Sequence, residues 1–305
     1  VTATLPRLAI VIVNWNGRDD TLECLASLAD DPYVSRRIFV VDNGSTDDST
    51  DQIAARYPDA RLLCTGANLG FTGGNRVGIA AALADGADYL LLLNNDTTVE
   101  PGLSSLLVTA AESEPGVGIW SPMVFHFDQR QVPWFSGSRM DLKRGVAVHD
   151  NNDLPDPSAG PISVPWVSGC AMFLSTDLVR QLGGFDDRFF LNWEDVDLSL
   201  RAASAGVGLR LLPAARVYHK VGRSFERAST DGLYYSVRNN LLLLRKHLPG
   251  RWNRIIAGCR VTGRALRQVV GDARRGRPWT APLRAVCAAV SDHLFGRYGP
   301  RGGAK

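Results

Sequence analysis

Three short apolar runs early in the chain each stop at a turn built from Asn and Asp. Leu8–Val13 ends at Asn14-Trp15-Asn16-Gly17, Ile38–Val41 at Asp42-Asn43-Gly44-Ser45, and Tyr89–Leu93 at Asn94-Asn95-Asp96. Continuous apolar runs of this length suit strands covered on both faces. Arg61–Cys64 reads as a further strand. Helical patterns lie between: Leu22, Leu25, Ala26 and Leu28 share one side, and Gly73–Leu83 reads as a helix. Ser45 or Thr46 is placed to cap the helix after the second run, with Asp47 and Asp48 favourable at its positive end. The alternation predicts an α/β fold, a mostly parallel, doubly wound sheet with helices on both faces. Ligands of such sheets bind outside the carboxyl ends of the strands. The three polar turns, distant in sequence, are therefore expected to converge on one crevice.

Residues 126–165 are rich in Pro, Gly and Asp and read as a long loop region or a small hairpin insertion. Val167–Leu174 and Gly208–Leu212 read as strands, Asp195–Ala205 and Gly232–His247 as helices, and Pro249-Gly250 as a boundary. Beyond it Arg254–Val270 fits an amphipathic helix. Ile255, Cys259, Leu266 and Val270 lie on one side, and Arg260, Arg264 and Arg267 on another. Residues 245–305 hold 14 of the 34 Lys and Arg but only 2 of the 31 Asp and Glu. An acidic body with a basic tail suggests two tasks, a metal for the body and something anionic for the tail. The basic helix is suited either to an anionic membrane surface or to packing on the body.

Composition narrows the class. A chain of 305 residues with 45% hydrophobic and 21% charged side chains buries a substantial core and is not disordered. Its five cysteines are scattered without a Cys-x-x-Cys, which argues against a disulfide framework or a zinc site and suits a reducing cytoplasm. Val1–Leu8 lacks the pattern of a secretory signal, and no apolar run approaches the ~20 residues of a membrane span.

Four segments carry chemistry. Asp96, at a strand end behind two asparagines, suits Mg²⁺ or Mn²⁺ shared with diphosphate oxygens, although Asn-Asn-Asp is also a good turn sequence. Phe190-Leu191-Asn192-Trp193 leads into Glu194, Asp195 and Asp197 at a helix start. Helix capping accounts for some acids there, but three beside a Trp also make a site for a general base. His219 is either structural or, with Lys220, Arg223 and Ser224, faces phosphate. Asn68-Leu69-Gly70-Phe71-Thr72-Gly73-Gly74-Asn75 lets backbone amides approach a phosphate or base closely, or is simply a turn and cap. Its spacing fits neither a dinucleotide fingerprint nor a P-loop.

Ile12-Val13-Asn14-Trp15-Asn16, Val41-Asp42-Asn43-Gly44-Ser45-Thr46-Asp47, Asn68-Leu69-Gly70-Phe71, Asn94-Asn95-Asp96, Gly183-Gly184-Phe185-Asp186 and Trp193-Glu194-Asp195-Val196-Asp197 occur in this order. The ordered set resembles the inverting family 2 glycosyltransferases of GT-A fold, particularly the rhamnosyltransferase-like branch, from Leu8 to Leu248. The resemblance implies a catalytic domain at 1–248, with a donor half of about 1–125 and an acceptor half of about 126–248. Residues 249–305 are then a basic helical extension. It implies that Asp42, with Val13 and Asn14, meets the nucleotide base, and that Asn68, Gly70, Asn75, Asn94, Asn95 and Asp96 hold the donor. Asp96 and His219 would bind Mg²⁺ or Mn²⁺. Asn94 stands where a strict D-x-D motif has its first Asp. Asp195 is the implied base, with Glu194 second, and Trp166, Gly169 and Trp193 shape the sugar and acceptor pocket. Arg76, where relatives often carry a second Asn, offers an extra phosphate or acceptor contact.

The implied reaction moves a sugar, rhamnose or another deoxysugar, from a dTDP- or UDP-sugar to a hydroxyl of a lipid-linked glycan or natural product. The implied setting is the cytoplasm or the inner membrane face, reached through 251–305. A sugar nucleotidyltransferase is the first rival, but Asn14-Trp15-Asn16-Gly17 is poor for holding a triphosphate. Glu194, Asp195 and Asp96 weigh against a non-catalytic nucleotide-sugar-binding protein. Nucleic-acid binding is not expected, because the basic tail has no interleaved stacking aromatics.

Overall fold

The computed structural model describes residues 4–151, 154–221 and 229–301. In chain order the elements begin β1 (Leu8–Asn14), α1 (Arg18–Ala29), β2 (Arg36–Asp42), α2 (Ser49–Arg56), β3 (Arg61–Cys64), α3 (Gly70–Ala84) and β4 (Tyr89–Asn94). Then come β5 (Thr97–Val99), α4 (Leu103–Ser113), β6 (Val117–His126), β7 (Pro133–Phe135), β8 (Ser138–Asp141), β9 (Val146–His149) and β10 (Ile162–Ser163). The chain continues with β11 (Ala171–Ser175), α5 (Thr176–Leu182), α6 (Glu194–Ser204) and β12 (Gly208–His219). It closes with α7 (Thr230–His247), α8 (Arg251–Arg274) and α9 (Thr280–Leu294).

The sheet runs β10–β12–β6–β11–β4–β1–β2–β3, with β5 on β12 and β7 on β6. Along this path β3, β2, β1, β4, β6 and β12 run one way, and β11 and β10 run against them. Ile10, Val11 and Ile12 of β1 and Leu90, Leu91 and Leu92 of β4 are fully buried, as expected of a sheet covered on both faces. Helix α3 lies close on β1 because Gly74 and Gly78 face it. A Cβ at these positions would stand 2.7 Å from Val13 and 2.3 Å from Val11.

Several expectations need correction. β6 breaks its apolar pattern with Gly118, Ser121 and Pro122, so it does not read as a strand. Pro122 sits where the β6–β12 register shifts between Leu212 and Arg216, a bulge that tolerates a missing N–H. The helix expected from Gly73 begins at Gly70, and the strand expected from Val167 begins at Ala171. The strand expected over 208–212 runs on to His219. Ser45 and Thr46 do not cap α2, which starts at Ser49, whose N–H donates to Asp47 Oδ1 at 3.2 Å. Region 126–165 contains β7, the β8–β9 hairpin and β10. Helix α8 packs through Ala257, Val261, Ala265 and Val269, so the apolar side read from sequence, with Ile255 and Val270, is the outward one.

Candidate active site

β1 lies between β2 and β4, and the chain crosses from one side of β1 to the other between β3 and β4. The carboxyl ends of β1 and β4 therefore flank a topological switch point, where open α/β sheets bind ligands. A buried relay starts at the end of β2. Asn14 Nδ2 donates to Asp42 Oδ1 at 3.0 Å and to Ser45 Oγ at 3.1 Å, and Ser45 N donates to Asp42 Oδ2 at 3.1 Å. Thr21 Oγ1 donates to Asn14 Oδ1 at 2.8 Å, and Asn95 Nδ2 donates to Thr21 Oγ1 at 3.0 Å. The relay ties Asp42 to the turn that carries Asp96. Sequence reasoning missed Thr21, whose only signal is its place on the buried side of α1.

Asn43 Nδ2 donates to Gly70 O at 3.0 Å and to Asn68 Oδ1 at 3.2 Å, which docks the glycine-rich turn on the end of β2. Asn75 is buried and donates to Phe71 O in its own helix at 2.9 Å. Turn and helix packing hold Asn68, Gly74 and Asn75 in place. Arg76 is paired with Asp187, so its charge is already engaged by the protein.

Pairing of β5 with β12 sets Thr97 opposite His219. His219 Nε2 thereby lies 3.1 Å from Asp96 Oδ1, and both side chains are buried. The pair approaches without good hydrogen-bond alignment: Asp96 Oδ1 and His219 Nδ1 have no aligned partner among the described residues. Burial opposes a charge on the imidazole, but Cys170 and Asp96 outweigh it and raise its pKa to about 10. A buried carboxylate oxygen without an aligned donor, facing an imidazole, fits a divalent cation in place of that proton. Among the described residues no group of three or more such side chains occurs, so further ligands would come from phosphate oxygens and water. Lys220 is held by Asp20 and Glu23, away from the phosphate role read for it, and Arg223 and Ser224 lie outside the described residues. Trp134 packs edge-on against His219 at 4.6 Å between ring centres and against His149 at 4.4 Å. Trp166 is buried behind His149, with Nε1 donating to Arg139 O at 3.3 Å, so it backs the site rather than lining it.

On the far side, Phe190, Asn192 and Trp193 have φ of 52°, 67° and 75°. Such residues cost about 1–3 kcal/mol each and persist only where neighbours hold them. Asn239 of α7 donates to the carbonyl oxygens of Phe189, Leu191 (2.7 Å) and Asn192 (3.0 Å). Thr72 N donates to Phe190 O at 3.2 Å, and a Cβ on Gly70 would stand 2.5 Å from that oxygen. The held segment launches α6, and its three acids separate by environment. Asp197 is fully buried among Arg201, Lys246 and His247; burial pushes its pKa up, but hydrogen bonds from His247 and Lys246 outweigh it and the net shift is down. Glu194 is buried, its Oε2 has no hydrogen-bond partner among the described residues, and burial, then Asp195, pushes its pKa well up. Asp195 is half-buried and accepts from Gly169 N at 2.9 Å. The next residue, Cys170, accepts through its carbonyl from Asn94 N at 2.9 Å. One loop thus fixes Asp195 beside the Asp96 turn.

The fold is of GT-A type, and comparison with known proteins makes the chain a glycosyltransferase. The profile described as "Glycosyl transferase family 2" matches residues 9–173, and the chain belongs to that family. An N-acetylglucosaminyl-diphospho-decaprenol L-rhamnosyltransferase of Mycobacterium tuberculosis is 30% identical over 266 residues, 80% of this chain and 86% of that protein. The dTDP-rhamnosyl transferase RfbF of Shigella flexneri is 24% identical over 70% of this chain and 72% of its own length. Among solved structures, the mannosyltransferase PcManGT of Pyrobaculum calidifontis, in complex with GDP-Man and Mn²⁺, superposes with a TM-score of 0.59 at 15% identity. The match covers 97% of this chain and 89% of that one.

Proposed function

We propose that this glycosyltransferase moves rhamnose, or a related deoxysugar, from a dTDP- or UDP-sugar to a hydroxyl of a lipid-linked glycan, with inversion. The observation that carries the reading is the loop 169–170, which holds Asp195 on one side and the Asp96 turn on the other. Residues 1–248 form the catalytic domain and 249–305 the basic extension. The rhamnosyl relatives favour the sugar, and the relative acting on a decaprenol-linked substrate favours the acceptor.

Asp42, oriented by Asn14 and Ser45, accepts hydrogen bonds from the nucleotide base. Asp96 and His219 hold Mg²⁺ or Mn²⁺, which when bound offsets the negative charge of the diphosphate leaving group. Asp195 takes the proton of the acceptor hydroxyl. The hydroxyl oxygen then bonds the anomeric carbon as the bond from that carbon to the nucleoside diphosphate breaks, and the diphosphate leaves with the electron pair. A single displacement needs no protein nucleophile. The enzyme works at the inner face of the cell membrane.

A panel of dTDP- and UDP-sugars, scored by thermal shift with Mg²⁺ or Mn²⁺, tests the reading, because a ligand of the folded state raises its stability. A dTDP-deoxysugar should stabilise the wild type with metal, and Asp96→Ala should remove the metal-dependent part. No stabilisation by any nucleotide sugar would reject it.

A further inference from the structure

Helix α8 carries two apolar stripes, and the fold uses one. Ala257, Val261, Ala265 and Val269 are buried in the cluster shared with α7 and α9. On the opposite side Trp252 is 74% exposed, Ile256 49% and Val270 50%, with Ile255 and Leu266 also open. Arginines 260, 267 and 274 recur every seven residues, which places them along one edge of the open stripe. Beside them Arg260 Nη1 donates to Lys143 O at 3.0 Å and Arg264 Nη1 to Arg144 O at 2.7 Å, bringing the exposed Lys143 and Arg144 to the same rim. Among the described residues no carboxylate pairs with Arg260, Arg264, Arg267 or Arg274. Burial, then neighbouring Arg267, lowers the pKa of Arg264.

We propose that the outward face of α8 docks on an anionic lipid bilayer, with Trp252, Ile255, Ile256, Leu266 and Val270 seated at the headgroup–acyl boundary and the arginine edge on lipid phosphates. Soluble surfaces rarely leave Trp and Ile open in a row, and a basic rim beside such a row is the pattern of helices that lie in a membrane interface. No described helix is long and apolar enough to cross the bilayer, and α8 presents its open stripe along its length. Charge complementarity favours lipid over a second copy of the chain, whose own arginine rim would repel this one.

Docking also orients the site. The turn of the β8–β9 hairpin is held by Arg260 and Arg264, and the same hairpin ends in His149, which packs on Trp134 and so on His219. A bilayer under α8 would present a lipid-linked acceptor to that flank. This last step rests on the proposed acceptor; the docking does not.

Co-sedimentation of the full chain with phosphatidylcholine vesicles, with and without an equal part of phosphatidylglycerol, tests the proposal. The wild type should bind the phosphatidylglycerol vesicles, less so at high salt. Trp252→Glu with Ile256→Glu should cut partitioning by about tenfold or more, and Arg267→Gln with Arg274→Gln should lower it while leaving phosphatidylcholine binding unchanged. Thermal shift with nucleotide sugar should be the same in both double variants, which separates this outcome from a failure of the donor reading. Wild-type chain that stays in the supernatant with phosphatidylglycerol, or glutamate variants that bind like wild type, would overturn it. So would a wild-type dimer that the glutamate variants convert to monomer, since the face would then be an interface between copies.

Discussion

The backbone N–H of Gly169 donates to Oδ2 of Asp195 at 2.9 Å. That bond holds one carboxylate oxygen, and Val196 N donates to the other, Oδ1, at 2.8 Å; a Cβ at 169 would stand in ordinary contact, 3.4 Å from the Phe71 ring and 3.5 Å from Asp195 Cβ. Asp195→Asn keeps an acceptor for Gly169 and loses the proposed base. Transfer should fall by roughly 10²–10⁴-fold, the range of a removed general base. Donor binding and thermal stability should stay at wild-type levels. Steady-state rates beside calorimetric donor titration check this; a rate near wild type would move the base elsewhere.

Glu194 behaves oppositely. Burial and the neighbouring Asp195 push its pKa well above the ordinary 4.5, so the folded chain keeps a proton that the unfolded chain releases. Stability from this side chain is full below the ordinary value and is lost as pH rises through the folded one. Glu194→Gln stays neutral throughout. In denaturant titrations it should match the wild type near pH 4 and be the more stable protein at about pH 8. Parallel stability curves for the two proteins across that range would refute the assignment.

Much of this site was legible in the primary structure because strand ends announce themselves: Asn14, Asp42 and Asn94 each close an apolar run. The separation of Glu194 from Asp195 was not legible, since adjacent acids on a helix differ only in what tertiary packing places over them. Thr21 and Asn239 escaped for the same reason; each is a polar residue on the buried side of a helix, and its partners come from elsewhere in the chain. β6 was hidden by Pro122, whose place at a bulge depends on the irregular register of β12. The outward stripe of α8 was seen as apolar but assigned no side, because periodicity finds a face without saying what covers it.

Asp197 anchors α6 to α7. Its buried carboxylate lies 2.8 Å from Arg201 Nε, 2.6 Å from Lys246 Nζ and 2.8 Å from His247 Nε2. Removing Asp197 leaves Lys246 with Asp186 but strips Arg201 and His247 of their carboxylate, and breaking such a buried cluster costs about 3 kcal/mol. Asp197→Ala should lose that much in urea unfolding. The Asp197 pKa is shifted down, so its contribution is present above the ordinary 3.8 and is lost as acid takes the pH through the lower folded value. The wild type should therefore lose stability across that acid window more steeply than the alanine variant does.

Asn239 separates positioning from simple stabilisation. Its amide nitrogen serves three carbonyls of the segment that carries Phe190, Asn192 and Trp193 at positive φ. Without it the carbonyls of Leu191 and Asn192 lose this donor, at about 1–3 kcal/mol for buried groups left unsatisfied, while Phe189 O keeps Leu191 N, and the strained residues are free to relax. The launch point of α6, and with it Asp195, then shifts. Asn239→Ala should lower kcat while leaving the donor KM unchanged, because Asp42, Asn14 and the Asp96 turn are tied together independently through Thr21. Asn239→Asp has nearly the same shape but presents oxygens to oxygens, so it should be at least as impaired as alanine. An aspartate variant with wild-type kcat, measured well below its melting temperature, would show that the side chain fills space and does not hold the segment through its N–H groups.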